Sequence, residues 1–165
     1  MFFKRKISVD EYCKTRLDLL FSDQQTQVWL QLKQSWPDFK YLSVNDHLYL
    51  MHLRAAHIEI LLMVVIKKFV LRNNIYDEVD EFIDNYLNEH NESNITDLLP
   101  LYSHALGSSP IDGILAMANL IANSLYQDKC SQEIILLFRA QLYGAIDLIR
   151  ADFKKVKLFP SSNNR

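Results

Sequence analysis

Apolar residues recur every three or four positions through most of this chain, which is the period of an α-helix rather than a strand. Polar capping residues divide the repeat into about seven segments. Ser8-Val9-Asp10-Glu11 has the form of a capping box, in which a serine hydroxyl accepts from the amide three residues on and the glutamate reaches back. Ser22-Asp23-Gln24-Gln25 repeats it, which predicts helices over about 8–21 and 23–35. On the second, Val28, Trp29, Leu32 and Trp36 form one stripe, and Pro37 ends it. Ser43 or Asn45 opens the longest helix, about 44–72. Its apolar residues spread round the cylinder, from Leu48, Met51 and Ala55 to Leu61, Met63 and Val64. A helix apolar nearly all round is one that others surround, so it is predicted to be central.

Downstream, about 75–90 reads as cleanly amphipathic. Ile75, Val79, Phe82, Ile83, Tyr86 and Leu87 point inward, and Asp77, Glu78, Asp80, Glu81, Asp84 and Glu89 outward. A polar loop, Asn91–Asn94, leads to a helix over about 96–106 with Thr96 as its cap. Gly107-Ser108-Ser109-Pro110 reads as a stop and a restart. Helices over about 110–126, with small Ala116, Ala118 and Ala122, and about 131–153 complete the set. The predicted fold is all-α: a single-domain irregular or orthogonal bundle of about seven helices around the helix at 44–72. One domain covers 1–153, and a basic tail at 154–165 is expected to be frayed. Alternation in 2–7 and 155–159 leaves a short ribbon between the termini as the lesser alternative.

Composition narrows the class. The chain is 49% hydrophobic with only 3 Gly and 4 Pro, too apolar for disorder and too poor in turn-formers for a sandwich or barrel. Cys13 and Cys130 match no zinc or redox spacing and are expected as reduced, buried thiols. No apolar run follows Lys4-Arg5-Lys6, so a signal peptide is rejected, the sequons at Asn91 and Asn94 are chance, and a cytoplasmic location is expected. The most apolar stretch, Ile60–Ile66, lies between Glu59 and Lys67-Lys68 and falls well short of the roughly twenty residues a membrane span needs.

Charge is distributed unevenly. Net charge is −2, yet no Lys or Arg occurs between Arg72 and Lys129, where ten acids stand. The plain reading is a solvated helix face neutralised by the basic flanking thirds. The functional reading is an acidic surface that steers a basic partner. An acidic middle weighs against nucleic acid, which needs a basic stripe.

Catalytic motifs are missing: there is no P-loop, no His-Glu-x-x-His, no Gly-x-Ser-x-Gly and no Glu-x-x-His pair, so no cofactor or metal is implied. Among five histidines, His52 draws attention because Glu59 shares its face two turns on. The favoured reading is a non-catalytic module that binds another protein, basic in character, or a second copy of itself. Its surface would be Asp77, Glu78, Asp80, Glu81 and Asp84, with Tyr76, Tyr86, Trp29 and Trp36 as aromatic anchors. The alternative is a small-molecule or metal-binding bundle, an enzyme included, with a pocket near His52, Glu59 and Asn119.

Overall fold

A computed structural model describes residues 4–35, 45–69, 75–108, 112–126 and 130–161. They form β1 (Arg5–Ser8), α1 (Val9–Leu20), α2 (Asp23–Ser35), α3 (Asp46–Lys68), α4 (Ile75–Glu89), a single turn α5 (Ser93–Thr96), α6 (Leu99–Ser108), α7 (Gly113–Tyr126), α8 (Gln132–Lys155) and β2 (Val156–Phe159). The chain is therefore an all-α bundle with one two-stranded addition.

Local chemistry sets the helix starts. Ser8 accepts from the Glu11 amide at 3.2 Å, Ser22 from Gln25 at 3.2 Å, Asn45 from Leu48 at 3.2 Å and Ser131 from Ile134 at 3.4 Å. Each satisfies one of the amides that a helix N-terminus leaves unpaired. The box at Ser8 is only half made, because the Glu11 carboxylate turns to Arg5 at 3.2 Å. Asn91 ends α4 in the left-handed region, φ 58°, and the Glu92 amide closes on the Leu87 carbonyl at 2.8 Å. Gly107, expected as a stop, lies inside α6 instead, and no described glycine has positive φ. The expected restart at Ser109-Pro110 lies outside the described residues. There Asp112 caps α7, accepting from the Leu115 amide at 2.9 Å.

Helix α3 touches every other helix. Tyr49, Leu53, Ala55, Ala56, Ile60 and Val65 on it are fully buried, and so are Leu17, Ile83, Leu87, Tyr102, Met117, Ile121, Phe138 and Leu142 around it. By length and composition α3 could cross a membrane, but 72% of its apolar window is buried inside the bundle, as befits a core helix. Helices α6, α7 and α8 pack in succession on one side of it, and α1 and α4 on the other. Helix α2 is the lightly held member, burying only Trp29 and Lys33.

Over residues 154–161 the expected frayed tail is corrected by the structure, and the rest of it lies outside the described residues. Helix α8 runs on to Lys155, and Val156–Phe159 pairs in parallel with Arg5–Ser8, Ile7 opposite Leu158. The cause is the alternation of the segment: Leu158 and Ile7 are buried side by side while Lys157 and Lys6 stay exposed.

Gly144 stands in the middle of α8, and a Cβ there would meet nothing within 4 Å. Gly144→Ala is expected to raise stability by about 1 kcal/mol, the helix-propensity difference, read from the denaturant midpoint. A loss of stability would mean that the space beside Gly144 is not open.

Candidate functional site

The acidic face of α4 is partly used by the fold itself. Glu78 accepts from the Ser161 amide at 2.7 Å and so ties down the chain after β2. Tyr86, expected as a partner anchor, is buried. Its hydroxyl donates to Asp18 at 2.9 Å and its ring stacks on His90 at 4.1 Å. It belongs to the Val79–Ile83–Leu87 face, and only its polar tip reaches the edge. Trp29 is likewise buried, against the His57 ring at 4.9 Å, and Trp36 lies outside the described residues.

Of the expected partner surface on α4, Tyr76, Asp77 and Glu81 remain exposed, flanked by half-buried Asp80 and Asp84. Partial burial, then the neighbouring Asp84 and Asp77, raises the Asp80 pKa. Burial, then Asp80, Glu59, Asp77 and Asp84, raises that of Tyr76. Among the described residues no Lys or Arg forms an ion pair with Asp77, Asp80, Glu81 or Asp84.

His52, Glu59 and Asn119 are each engaged by a different partner. The Nδ1 of His52 lies 2.7 Å from the Tyr102 hydroxyl inside the core, and burial lowers the His52 pKa. Glu59, also buried, is pushed up to about 7, first by desolvation, then by Asp80, against a hydrogen bond from Ser103. Asn119 donates back to the Leu115 carbonyl of its own helix at 2.9 Å. Together His52 and Glu59 make a polar seam between α3 and α6, with α4 supplying Asp80. No group of three or more His, Cys, Asp or Glu side chains is placed to hold a metal among the described residues. Cys13 is fully buried and its thiol pushed up to about 12 by desolvation, so it is inert, and Cys130 is half-buried.

A concave site lies elsewhere. Because α2 stands away from α8, a groove of about 250 Å³ opens between them, floored by His57 and Leu61 of α3 and closed by Arg16, Leu19 and Leu20 of α1. Leu19, Val28, Leu32 and Leu148 leave 42–63% of their surface exposed along it. The His57 Nδ1–H donates to the Leu53 carbonyl at 2.7 Å, which leaves Nε2 as an acceptor. Burial pushes the His57 pKa down to about 4, against that hydrogen bond, so the ring is neutral at pH 7. Arg16 is held by Tyr12 and Asp152: its Nε donates to the Tyr12 hydroxyl at 3.3 Å, its Nη2 to Asp152, and Tyr12 donates to Asp152 at 3.1 Å. Gln141 lines the groove with both amide atoms enclosed and unpartnered among the described residues. The spacing of Val28, Trp29 and Leu32 marks α2 as amphipathic, but nothing in that spacing says that its stripe is only partly covered.

No protein-family model, curated protein or solved structure matches this chain.

Proposed function

We propose that this chain is a non-catalytic helical interaction module that captures a cationic segment of another protein on the outer face of α4. The observation that supports this most is a set of acids that repel one another and that, among the described residues, form no ion pair with a Lys or Arg. Asp77 sits in the first turn of α4, where a negative charge favours the helix dipole. Asp80, Glu81 and Asp84 lie further in and gain nothing from it. Like charges at this spacing destabilise a helix by a few tenths of a kcal/mol each. Folding alone does not account for keeping them, whereas a Lys- or Arg-rich partner would. Tyr76, 47% exposed among these carboxylates, offers a ring face to a lysine or guanidinium.

The test is a fluorescence-anisotropy titration with a labelled Lys/Arg-rich peptide, for wild type and for the combined Asp77→Asn, Asp80→Asn, Asp84→Asn variant. The variant is expected to bind at least about tenfold more weakly. It is also expected to unfold later, by roughly 0.5–1 kcal/mol, because repulsion has been relieved. Binding lost while stability rises separates a surface role from a folding defect. Equal affinity of the two proteins for the peptide would dispose of the reading.

A further inference from the structure

We propose that the groove between α2 and α8 is a binding site for a small single-chain amphiphile: an apolar tail with one carboxylate head, about ten heavy atoms in all. The size follows from volume. A cavity of 150 Å³ takes up one benzene ring, so 250 Å³ accommodates about ten heavy atoms. The tail is argued from the walls, where Leu19, Leu20, Val28, Trp29, Leu32 and Leu61 face Ala145, Leu148 and Ile149. An exposed apolar concavity with a few polar groups inside it is the usual form of a ligand site.

Gly144 is the independent observation. Glycine in a helix interior is unfavourable, and here no neighbour requires it, since a side chain would project into open space. That space is the groove, which Gly144 lines. A leucine in its place would give a better helix and a filled groove.

Charge complementarity identifies the head. Among the described residues Arg16 is the one charged side chain lining the groove; its ion-pair partner Asp152 does not line it, and His57 there is neutral. Tyr12 and Asp152 occupy Nε and Nη2 of its guanidinium and fix its orientation. Nη1 makes no hydrogen bond within the described protein and is available to a carboxylate. Such a pre-oriented, charge-assisted hydrogen bond discriminates a carboxylate from an alcohol of the same length. His57, whose Nε2 is an uncharged acceptor, also lines the groove. This site is separate from the α4 face and does not depend on it.

Calorimetric titration of the full chain with octanoate, octanol and acetate tests the assignment. Saturable binding of one octanoate is expected, with octanol about tenfold weaker and acetate undetectable. Gly144→Leu should weaken octanoate by at least about tenfold with no loss in melting temperature. Arg16→Gln should bring octanoate down to the affinity of octanol. Methyl NMR of the wild type needs no variant: octanoate should shift Val28, Leu61 and Leu148 and leave exposed Leu136, which does not line the groove, in place. The proposal fails if octanoate does not saturate, if octanol binds as tightly, if Gly144→Leu binds as before, or if Leu136 shifts along with Leu148.

Discussion

Gly113→Ala is expected to destabilise this protein by about 3 kcal/mol, more than alanine at either of the other two glycines. A Cβ at Gly113 would lie 2.1 Å from the Leu106 carbonyl oxygen and 2.9 Å from its carbonyl carbon. Both atoms are backbone, inside α6, so no side chain can rotate away. Relief requires α6 and α7 to separate, and those two helices form one of the most extensive contacts in the fold. Behind them lie Tyr102, Met117, Ala118 and Ile121, all fully buried, so a separation would open the core. In a chain of this size the loss corresponds to a fall in melting temperature of about 6–12 °C. The chain supplies its own controls, since it has three glycines and all of them are helical. A Cβ at Gly107 or Gly144 meets nothing within 4 Å, so alanine there should be neutral or stabilising. Thermal unfolding of the three alanine variants under one set of conditions measures this. Equal behaviour of Gly113→Ala and Gly107→Ala would mean that the α6–α7 approach is looser than described.

The same three glycines show where a sequence is readable. Helix existence and the caps at Ser8, Ser22, Asn45 and Ser131 follow from interactions within four residues, so periodicity and cap chemistry locate them. The central role of α3 is legible as well, because only a surrounded helix is apolar on every side. Contacts between distant segments leave a fainter trace. The β1–β2 pair joins residues about 150 positions apart, and only a weak alternation hinted at it. Gly113 and Gly144 are indistinguishable by sequence, yet one is forced by a neighbouring backbone and the other is exposed, with nothing within 4 Å of an added Cβ. Tyr86 was readable either as a core residue or as an anchor, because a tyrosine with a wet hydroxyl satisfies both patterns. Within the candidate site, the acids of α4 are visible as a charge run. That they form no ion pair among the described residues is not, since that depends on where the basic thirds of the chain fold. The groove is invisible because Val28 and Leu32 have the composition of core residues, and only the stand-off of α2 from α8 exposes them.

Glu59→Gln is expected to stabilise the protein at pH 8 by up to about 3 kcal/mol and to change little at pH 4.5. Glu59 is 6% exposed, and desolvation together with Asp80 raises its pKa from 4.5 to about 7. Between those values the folded chain holds a proton that the unfolded chain has released. Stability contributed by that proton is therefore complete below about 4.5 and lost as pH rises through about 7. Glutamine keeps the shape of the protonated acid and an acceptor for Ser103, so only the penalty of ionising a buried carboxyl disappears. His57 acts in the opposite direction. Its pKa is lowered from 6.5 to about 4, so the unfolded chain binds the extra proton and stability is lost as pH falls through that window. His52, lowered by burial, adds to the same trend. The His57 ring reaches the groove, where water blunts its penalty, so its share is the smaller. In the wild type the two trends oppose each other between about pH 4.5 and 6.5, which leaves a shallow profile there and a decline above it. Removing Glu59 exposes the histidine trend alone, so the variant should gain stability continuously from pH 4.5 to 6.5 and then level off. Denaturant unfolding of both proteins at intervals from pH 4.5 to 8 measures the difference curve directly. A difference that does not grow with pH would show that Glu59 ionises freely in the folded state, and the seam between α3, α4 and α6 would then have to admit water.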